Sequence, residues 1–238
     1  MPVNESGHAR NVEHFATMIS FVDGYGGDYK PSNPAIEPPA LQAKLAEAQG
    51  QGSIDGVTTA MAPSKIAVND RENNFAGIRK LVTRVVNSFA ASGAASNLID
   101  DAKGFKRKLD GVRAGTLPKD DPNTPEDESA VGNSVSQQSY TQLVEHFDNL
   151  IELLSNSGKY NPNESELTIA SLQALSADLK TANAAVTAAF TPLSNARITR
   201  NTSLYGDGDG LFDLAGLVKT YVKSLFGADS PSFLRSGP

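Results

Sequence analysis

The chain repeats part of its own sequence. The segment Val12-Glu13-His14-Phe15 recurs as Val144-Glu145-His146-Phe147. Further matches follow in the same order and at nearly the same offset: Tyr29-Lys30-Pro31 with Tyr160-Asn161-Pro162, Leu41-Gln42-Ala43 with Leu172-Gln173-Ala174, Pro63 with Pro192, Arg71 with Arg200, and Phe75 with Leu204. After a short insertion in the second copy, Val85 matches Val222 and Phe89 matches Phe226. An ordered series across about 90 residues predicts an internal duplication, which requires both copies to fold in related ways.

Each copy has the apolar spacing of helices. Apolar residues recur every three or four positions over 12–22 and 143–154, then along Ala-rich segments over 41–75 and 172–204. A third helix is predicted near 78–89 and near 211–226, and the first copy adds another over 94–112. We therefore predict an all-α protein made of elongated antiparallel helical bundles, with two repeats related by the duplication.

Proline interrupts both Ala-rich segments, at Pro63 and at Pro192. A proline within a helix removes one hydrogen bond and clashes with the preceding turn. No cluster of turn-forming residues surrounds either proline, so we expect a kink or a short break and not a chain reversal. A continuous helix of about 35 residues would be about 50 Å long. Tyr29 and Tyr160, which follow the first helix of each copy, are predicted to pack their loops onto the bundle.

The duplication predicts a first helical repeat over residues 1–114 and a second over 134–238. Between them, residues 115–133 combine Pro118, Pro122 and Pro125 with several Asp and Glu residues. A segment of that composition does not bury a core, so we predict an exposed acidic linker.

Composition excludes several classes of protein. The 238 residues include no Cys and three His, and the formal net charge is −6. Without Cys there is no disulfide scaffold, thiolate metal site or cysteine nucleophile. The acidic balance disfavours a general nucleic-acid binder, which carries a basic surplus. No run approaches the roughly 20 apolar residues of a membrane-spanning helix.

Location is less constrained by the sequence. Residues 1–20 lack the apolar run of about 7 to 15 residues that marks a secretory signal peptide. We expect a cytoplasmic location by default, although non-classical export or a processed mature form would leave the same sequence.

The matched histidines His14 and His146 are the first candidates for chemistry. Neither has a second His or an acidic residue at the i, i+4 spacing of metal ligands, so we interpret both as imidazoles on a helix surface. Arg71 and Arg200 also match, and we expect each to satisfy carboxylates or helix-end carbonyls at a seam between helices.

The sequence Asp207-Gly208-Asp209-Gly210, followed by Asp213, is the strongest candidate for a cation site. Alternating carboxylates around glycines can surround Ca²⁺, but the position where a calcium loop needs Glu is Val218. We favour a loop between two helices in which Asp213 caps the second helix, and cation binding stays open.

Basic residues accumulate in the first copy. They are Arg79, Lys80, Arg84, Lys103, Lys106, Arg107, Lys108 and Arg113. They could dock an acidic partner, a phosphate group or the acidic linker. The nearby acids Asp100, Asp101 and Asp110, and the lack of aromatic residues for stacking on bases, favour a solvated helix face instead. We predict no catalytic, cofactor-binding or metal site.

Several segments resemble a family of uncharacterised all-helical proteins of Bacteroidota with an internal duplication. The resemblance is clearest over residues 195–205 and 218–228, and includes Pro39-Ala40-Leu41-Gln42 and the stretches 90–94 and 134–140. It spans nearly the whole chain. It implies a helical fold, and it implies no activity and no functional residues.

These observations favour a non-enzymatic structural or protein-interaction protein whose partner is a protein, including a second copy of itself as a homo-oligomer. A duplicated subunit offers two related faces, and a head-to-tail contact between them generates rings or filaments. The alternative is a membrane-active or small-ligand-binding bundle whose Ala-rich helices rearrange. An enzyme with a deep pocket between bundles ranks third.

Overall fold

The structure of the protein is a computed structural model that describes residues 5–50, 52–112, 138–228 and 230. These residues are all-helical and include no strand, which confirms the predicted fold class. The α-helices are α1 (Glu5–Gly24), α2 (Pro38–Gln49), α3 (Ile54–Phe75), α4 (Ile78–Ala91), α5 (Ser96–Asp110), α6 (Tyr140–Asn156), α7 (Ile169–Tyr205) and α8 (Leu211–Phe226). Short 3-10 helices occupy Gly26–Asp28, Pro34–Ile36 and Ser165–Leu167. The predicted linker, residues 115–133, lies outside the described residues.

Local sequence signals explain most helix ends. The Ser139 side chain accepts a hydrogen bond from the Gln142 N–H, so it caps the first turn of α6. Gly111 follows α5 with a φ of 75°, a left-handed conformation that glycine adopts without a steric penalty. The additional helix predicted over 94–112 is therefore confirmed as α5.

The long Ala-rich segment of the first half is divided into α2 and α3, whereas that of the second half forms one helix of 37 residues, α7. The division lies before Ile54 and not at the proline. The N–H of Gly50 donates to the Ala46 carbonyl, and the N–H of Ser53 donates back to the Gly50 carbonyl. The prediction of one helical segment over 41–75 is therefore wrong. Glycine disfavours a helix interior, and the first half has glycine at positions 50 and 52, whereas the second half has Thr and Asn at the equivalent positions.

Both prolines lie inside continuous helices, Pro63 in α3 and Pro192 in α7. The prediction that neither proline reverses the chain is confirmed, and the short break that it allowed for is not found at either proline. Both side chains are exposed, so the rings face solvent and do not occupy a core.

The chain forms two compact units that do not coincide with its two sequence halves. Unit 1 consists of residues 1–66 and 188–238, and unit 2 consists of residues 67–187. The boundaries fall inside α3 and α7, so these two helices carry the chain between the units. Unit 2 is one continuous segment, and unit 1 is built from both ends of the chain.

The core of unit 2 is formed by α4, α5, α6 and the beginning of α7. The α5 helix packs against both α4 and α6. Side chains with essentially no solvent exposure come from all four helices: Val82, Val85, Phe89, Ala102, Leu109, Phe147, Leu150, Leu172 and Leu179. Burial of this apolar surface is the main source of the unit's stability.

The core of unit 1 is formed by α1, α2 and α8, which contact one another pairwise. Its buried side chains are Val12, Phe15, Met18, Ile19, Val22, Tyr29, Ile36, Leu41, Ala48, Leu204, Leu211, Leu214, Val218 and Val222. Residues from the first 48 positions thus share one core with residues from position 204 onward. Helix α8 completes a unit that α1 and α2 begin.

Candidate functional site

The two predicted tyrosine anchors have the same geometry. The Tyr29 hydroxyl donates to the Ile36 carbonyl at 2.9 Å, and the Tyr160 hydroxyl donates to the Leu167 carbonyl at 2.8 Å. Each bond spans seven residues and each ring is buried. The prediction that these tyrosines pack their loops onto the helices is confirmed. Burial raises the pKa of both phenols to about 12, with smaller contributions from Tyr221 for Tyr29 and from Glu164 for Tyr160.

Each anchor ring contacts an aromatic ring from the opposite half of the sequence. In unit 1, the Tyr29 ring lies edge-on to Tyr221 of α8, with 5.2 Å between ring centroids. In unit 2, the Tyr160 ring lies edge-on to Phe89 of α4, with 6.1 Å between centroids. Edge-to-face pairs of this kind are a favoured arrangement for aromatic side chains. Helix α4 of the first half and helix α8 of the second half therefore each contact the tyrosine anchor of the other half.

The surface on which α8 lies is the candidate functional site, and we call it the α1–α2 groove. Besides the contact with Tyr29, the Tyr221 hydroxyl accepts a hydrogen bond from the Lys30 N–H at 3.2 Å. At the end of α8, the Phe226 ring lies 5.0 Å from the Tyr25 ring. Val218 and Val222 are fully buried in the unit 1 core. The groove therefore holds an amphipathic helix by an apolar stripe and one polar contact.

The matched histidines differ in environment. His14 is exposed on α1, whereas His146 on α6 is only 6% exposed, and neither of its ring nitrogens has a hydrogen-bond partner among the described residues. The interpretation of His146 as a helix-surface imidazole is wrong. The reason is that α6 packs against α5, and Lys108 of α5 is close enough to influence the imidazole charge. Burial lowers the pKa of His146, Lys108 lowers it further, and Glu145 acts in the opposite direction.

The aspartate-rich loop is held by a backbone contact. The Asp213 carboxylate, in the first turn of α8, accepts a hydrogen bond from the Gly208 N–H at 2.7 Å. The N-cap of α8 is Gly210 and no side chain caps this helix, so the prediction that Asp213 caps it is wrong: the carboxylate binds the loop before the helix instead. In the part of the chain that the structure describes, no three or more His, Asp or Glu side chains gather to hold a metal ion.

Most of the basic residues have partners within unit 2. Arg84 pairs with Glu166, Lys103 with Asp100 at 2.9 Å, and Lys106 with Asp110. Arg79 donates to the Leu109 carbonyl at 3.2 Å and to the Gln138 side chain, so it ties α4 to the end of α5. Arg107 and Lys108 line an open cavity of about 620 Å³ between α5 and α6. Arg113 lies outside the described residues.

The matched arginines contact different groups. The Arg71 guanidinium lies 4.0 Å from the centroid of the Tyr140 ring, a cation–π contact. Arg200 is 2% exposed and donates two hydrogen bonds to the Asn201 side-chain oxygen, at 3.2 and 3.0 Å. For Arg71 an aromatic face thus stands where a carboxylate or a helix-end carbonyl was expected, and Arg200 binds an amide oxygen.

A second cavity, of about 660 Å³, opens on unit 1. Its lining includes His8, Arg197, Ile198, Arg200 and Tyr205. The Tyr205 hydroxyl lies 2.9 Å from the His8 Nδ1 atom and accepts a hydrogen bond from the Asn11 side chain at 2.9 Å. These bonds fix the end of α7 to α1, next to the loop that leads into α8.

Unit 1 also exposes large apolar side chains. Phe190, Ile198 and Phe212 are 52%, 62% and 63% exposed. Phe190 belongs to the apolar periodicity over 172–204, yet its side chain is not buried in a core.

Comparison with known proteins adds no relative. No protein-family model matches the chain, and no curated protein or solved structure shows significant similarity to it. Within the described residues, none of the helices is both long and apolar enough to span a bilayer.

Proposed function

We propose that the protein is a non-enzymatic helical scaffold that acts by binding proteins, first of all other copies of itself. The observation that carries this proposal is the recurrence of one construction in both units: a tyrosine anchor, a fully buried leucine at the start of the next helix, and a closing helix from the opposite half. The two leucines are Leu41 and Leu172.

This recurrence supports a duplication as the origin of the chain. The hydrogen bonds of Tyr29 and Tyr160 span the same number of residues and end on equivalent carbonyls. Helices α4 and α8 are the matching closing helices, since Val82, Val85, Val218 and Val222 are all fully buried. The resemblance to all-helical proteins of Bacteroidota over residues 195–205 and 218–228 fits the same origin, and we propose membership of that family.

A duplicated subunit carries two related surfaces on one chain. Contacts between unlike surfaces of successive copies repeat without limit unless they close into a ring, and this is how many scaffolds and filaments grow. The exposed Phe190, Ile198 and Phe212 side chains add apolar area of the kind that interaction surfaces use. Self-association is therefore the function that these features favour over catalysis.

The test is the oligomeric state of the purified full-length protein. Light scattering after size exclusion, together with electron microscopy, would be recorded over a series of protein concentrations. We expect species larger than the monomer, with a fraction that rises with concentration. Strictly monomeric particles throughout the series would overturn the proposal.

A further inference from the structure

Unit 1 differs from unit 2 because it combines two segments that lie far apart in the sequence. Its α1–α2 groove comes from residues before position 66 and its closing helix α8 from residues after position 188. Unit 2 lies between them in the sequence as an uninterrupted segment. The contact between α8 and the groove is therefore long-range within one chain, and nothing in its chemistry depends on which chain supplies α8.

The groove selects α8 by specific contacts. Val218 and Val222 fill the apolar core, Phe226 packs on Tyr25, and the Tyr221 hydroxyl binds the Lys30 N–H. An α8 helix from a second copy offers the same side chains at the same spacing. The second copy is thus a partner whose fit to the groove is already shown by the chain's own helix.

The connections to unit 2 contain the positions where the chain can be redirected. Pro63 lies within α3 and Pro192 within α7, each within five residues of a unit boundary. A helix-interior proline removes one backbone hydrogen bond and weakens the helix locally. Both routes by which a chain leaves unit 1 therefore pass through a weakened turn.

Resting on the proposed self-association, we infer that copies of this protein associate by helix exchange: α8 of one copy, together with the end of α7 that follows Pro192, occupies the α1–α2 groove of another. Exchange of an identical element forms new contacts only at the connections, which makes it a low-cost route to oligomers. Groove and helix are different surfaces, so one exchange is head-to-tail. Two copies that exchange reciprocally close a dimer, and successive exchanges extend a ring or a filament.

The chain's own α8 competes with this exchange. A tethered helix acts at an effective concentration on the order of millimolar, so dilute folded protein stays monomeric. Exchange is favoured when chains fold together at high concentration, because foreign α8 helices then compete more effectively with the tethered one for each groove.

Because the sequence contains no cysteine, two introduced cysteines can report the contact by forming a disulfide bond. Two full-length variants, Tyr25→Cys with an added tag and Phe226→Cys without one, are unfolded, refolded together at high concentration and oxidised. Phe226 faces the groove and its ring contacts Tyr25. We expect a covalent heterodimer whose mass is the sum of the two chains.

The matched control replaces the neighbouring exposed residue, Leu225→Cys, in place of Phe226→Cys. It should give little heterodimer. A double variant, Tyr25→Cys with Phe226→Cys in one chain refolded at low concentration, should cross-link within the chain and so shows that the pair reports docking.

Equal yields from the Phe226 and Leu225 variants, or no heterodimer while the double variant cross-links internally, would overturn the exchange. Concentration-dependent oligomers without that heterodimer would overturn the exchange alone, whereas a protein that stays monomeric overturns the proposed function as well.

Discussion

Two buried phenol groups hold the loops that follow α1 and α6, and their removal is the simplest test of the anchors. We expect Tyr29→Phe and Tyr160→Phe each to lower the free energy of unfolding by about 1 kcal/mol, because a buried carbonyl loses its hydrogen-bond donor while the ring stays in place. Urea denaturation followed by circular dichroism measures this. Tyr140→Phe is the matched control, since the Tyr140 hydroxyl has no hydrogen bond among the described residues. An unchanged midpoint for both anchor variants would contradict the assignment.

The same hydroxyls predict a loss of stability in alkali. The pKa of each anchor tyrosine is raised from 10.0 to about 12, so the folded state holds these protons more tightly than the unfolded state. Their contribution is fully present below pH 10 and is lost as the pH rises toward 12. Unfolding titrations at several pH values above 9 should show this decline, and it should be smaller in a Tyr29→Phe/Tyr160→Phe double variant. Identical slopes for the double variant and the parent chain would rule out these two groups as the source.

His146 predicts the opposite dependence, on the acid side. Its pKa is lowered, chiefly by burial, so the unfolded state binds the proton more readily than the folded state. The stability contribution is complete above the ordinary pKa of 6.5 and is lost as the pH falls through the lowered folded value. We expect His146→Leu to reduce the stability loss between neutral and acid pH, measured by urea denaturation at stepped pH values.

The exposed counterpart His14 supplies the control for this prediction. His14→Leu changes the same residue type at the matching sequence position, but the imidazole there is in solvent. Its acid stability profile should follow that of the parent chain. If both substitutions flattened the profile equally, burial of His146 would not be the cause.

Each of the two helices that connect the units contains an interior proline, which weakens the helix. Pro63 and Pro192 lie inside continuous helices with exposed rings, so replacing them leaves no cavity in a core. We expect Pro192→Ala to raise the free energy of unfolding by up to about 3 kcal/mol, because alanine restores a helical hydrogen bond and removes a clash. Thermal and urea unfolding measure the gain. If exchange occurs through these helices, the same variant should also give less heterodimer on refolding, whereas a destabilised variant would show that the proline geometry is required.

Helix positions follow from the sequence because they depend on near neighbours. The apolar spacing over 143–154 predicts α6 correctly, and the glycine at 111 marks the end of α5. The interruption before Ile54 could also be predicted, since Gly50 and Gly52 disfavour a helix more strongly than the Thr and Asn at the equivalent positions of the second half. By contrast, the burial of His146 depends on α5, a helix that lies about 40 residues away in sequence. Periodicity along one helix shows which face is apolar and not which helix covers it.

At the scale of the whole molecule, the pairing of the closing helices α4 and α8 could not be predicted from the repeated sequence pattern. Because sequential elements are usually neighbours, the helices of each half would be expected to pack with one another. Instead α8 closes on α1 and α2, and α4 shares its core with α6. Helices α4 and α8 both present buried valines, so the apolar stripe of each helix is not what tells its partner apart from the other core.

This pairing predicts how the protein responds to a cut between its halves. A protease site introduced within residues 115–133 divides the chain into two fragments after it has folded. In unit 2 the first fragment contributes Val82 and Phe89 and the second contributes Phe147 to one core, and in unit 1 Phe15 likewise packs in a core with Val218. Separation of the fragments would expose the apolar surface of both cores. We therefore expect the cleaved fragments to co-elute on size exclusion as one complex with the helical content of the intact chain, and to separate only in denaturant. Two independently folded fragments that elute apart under native conditions would show that each half closes on itself, and would contradict both the described cores and the exchange inferred from them.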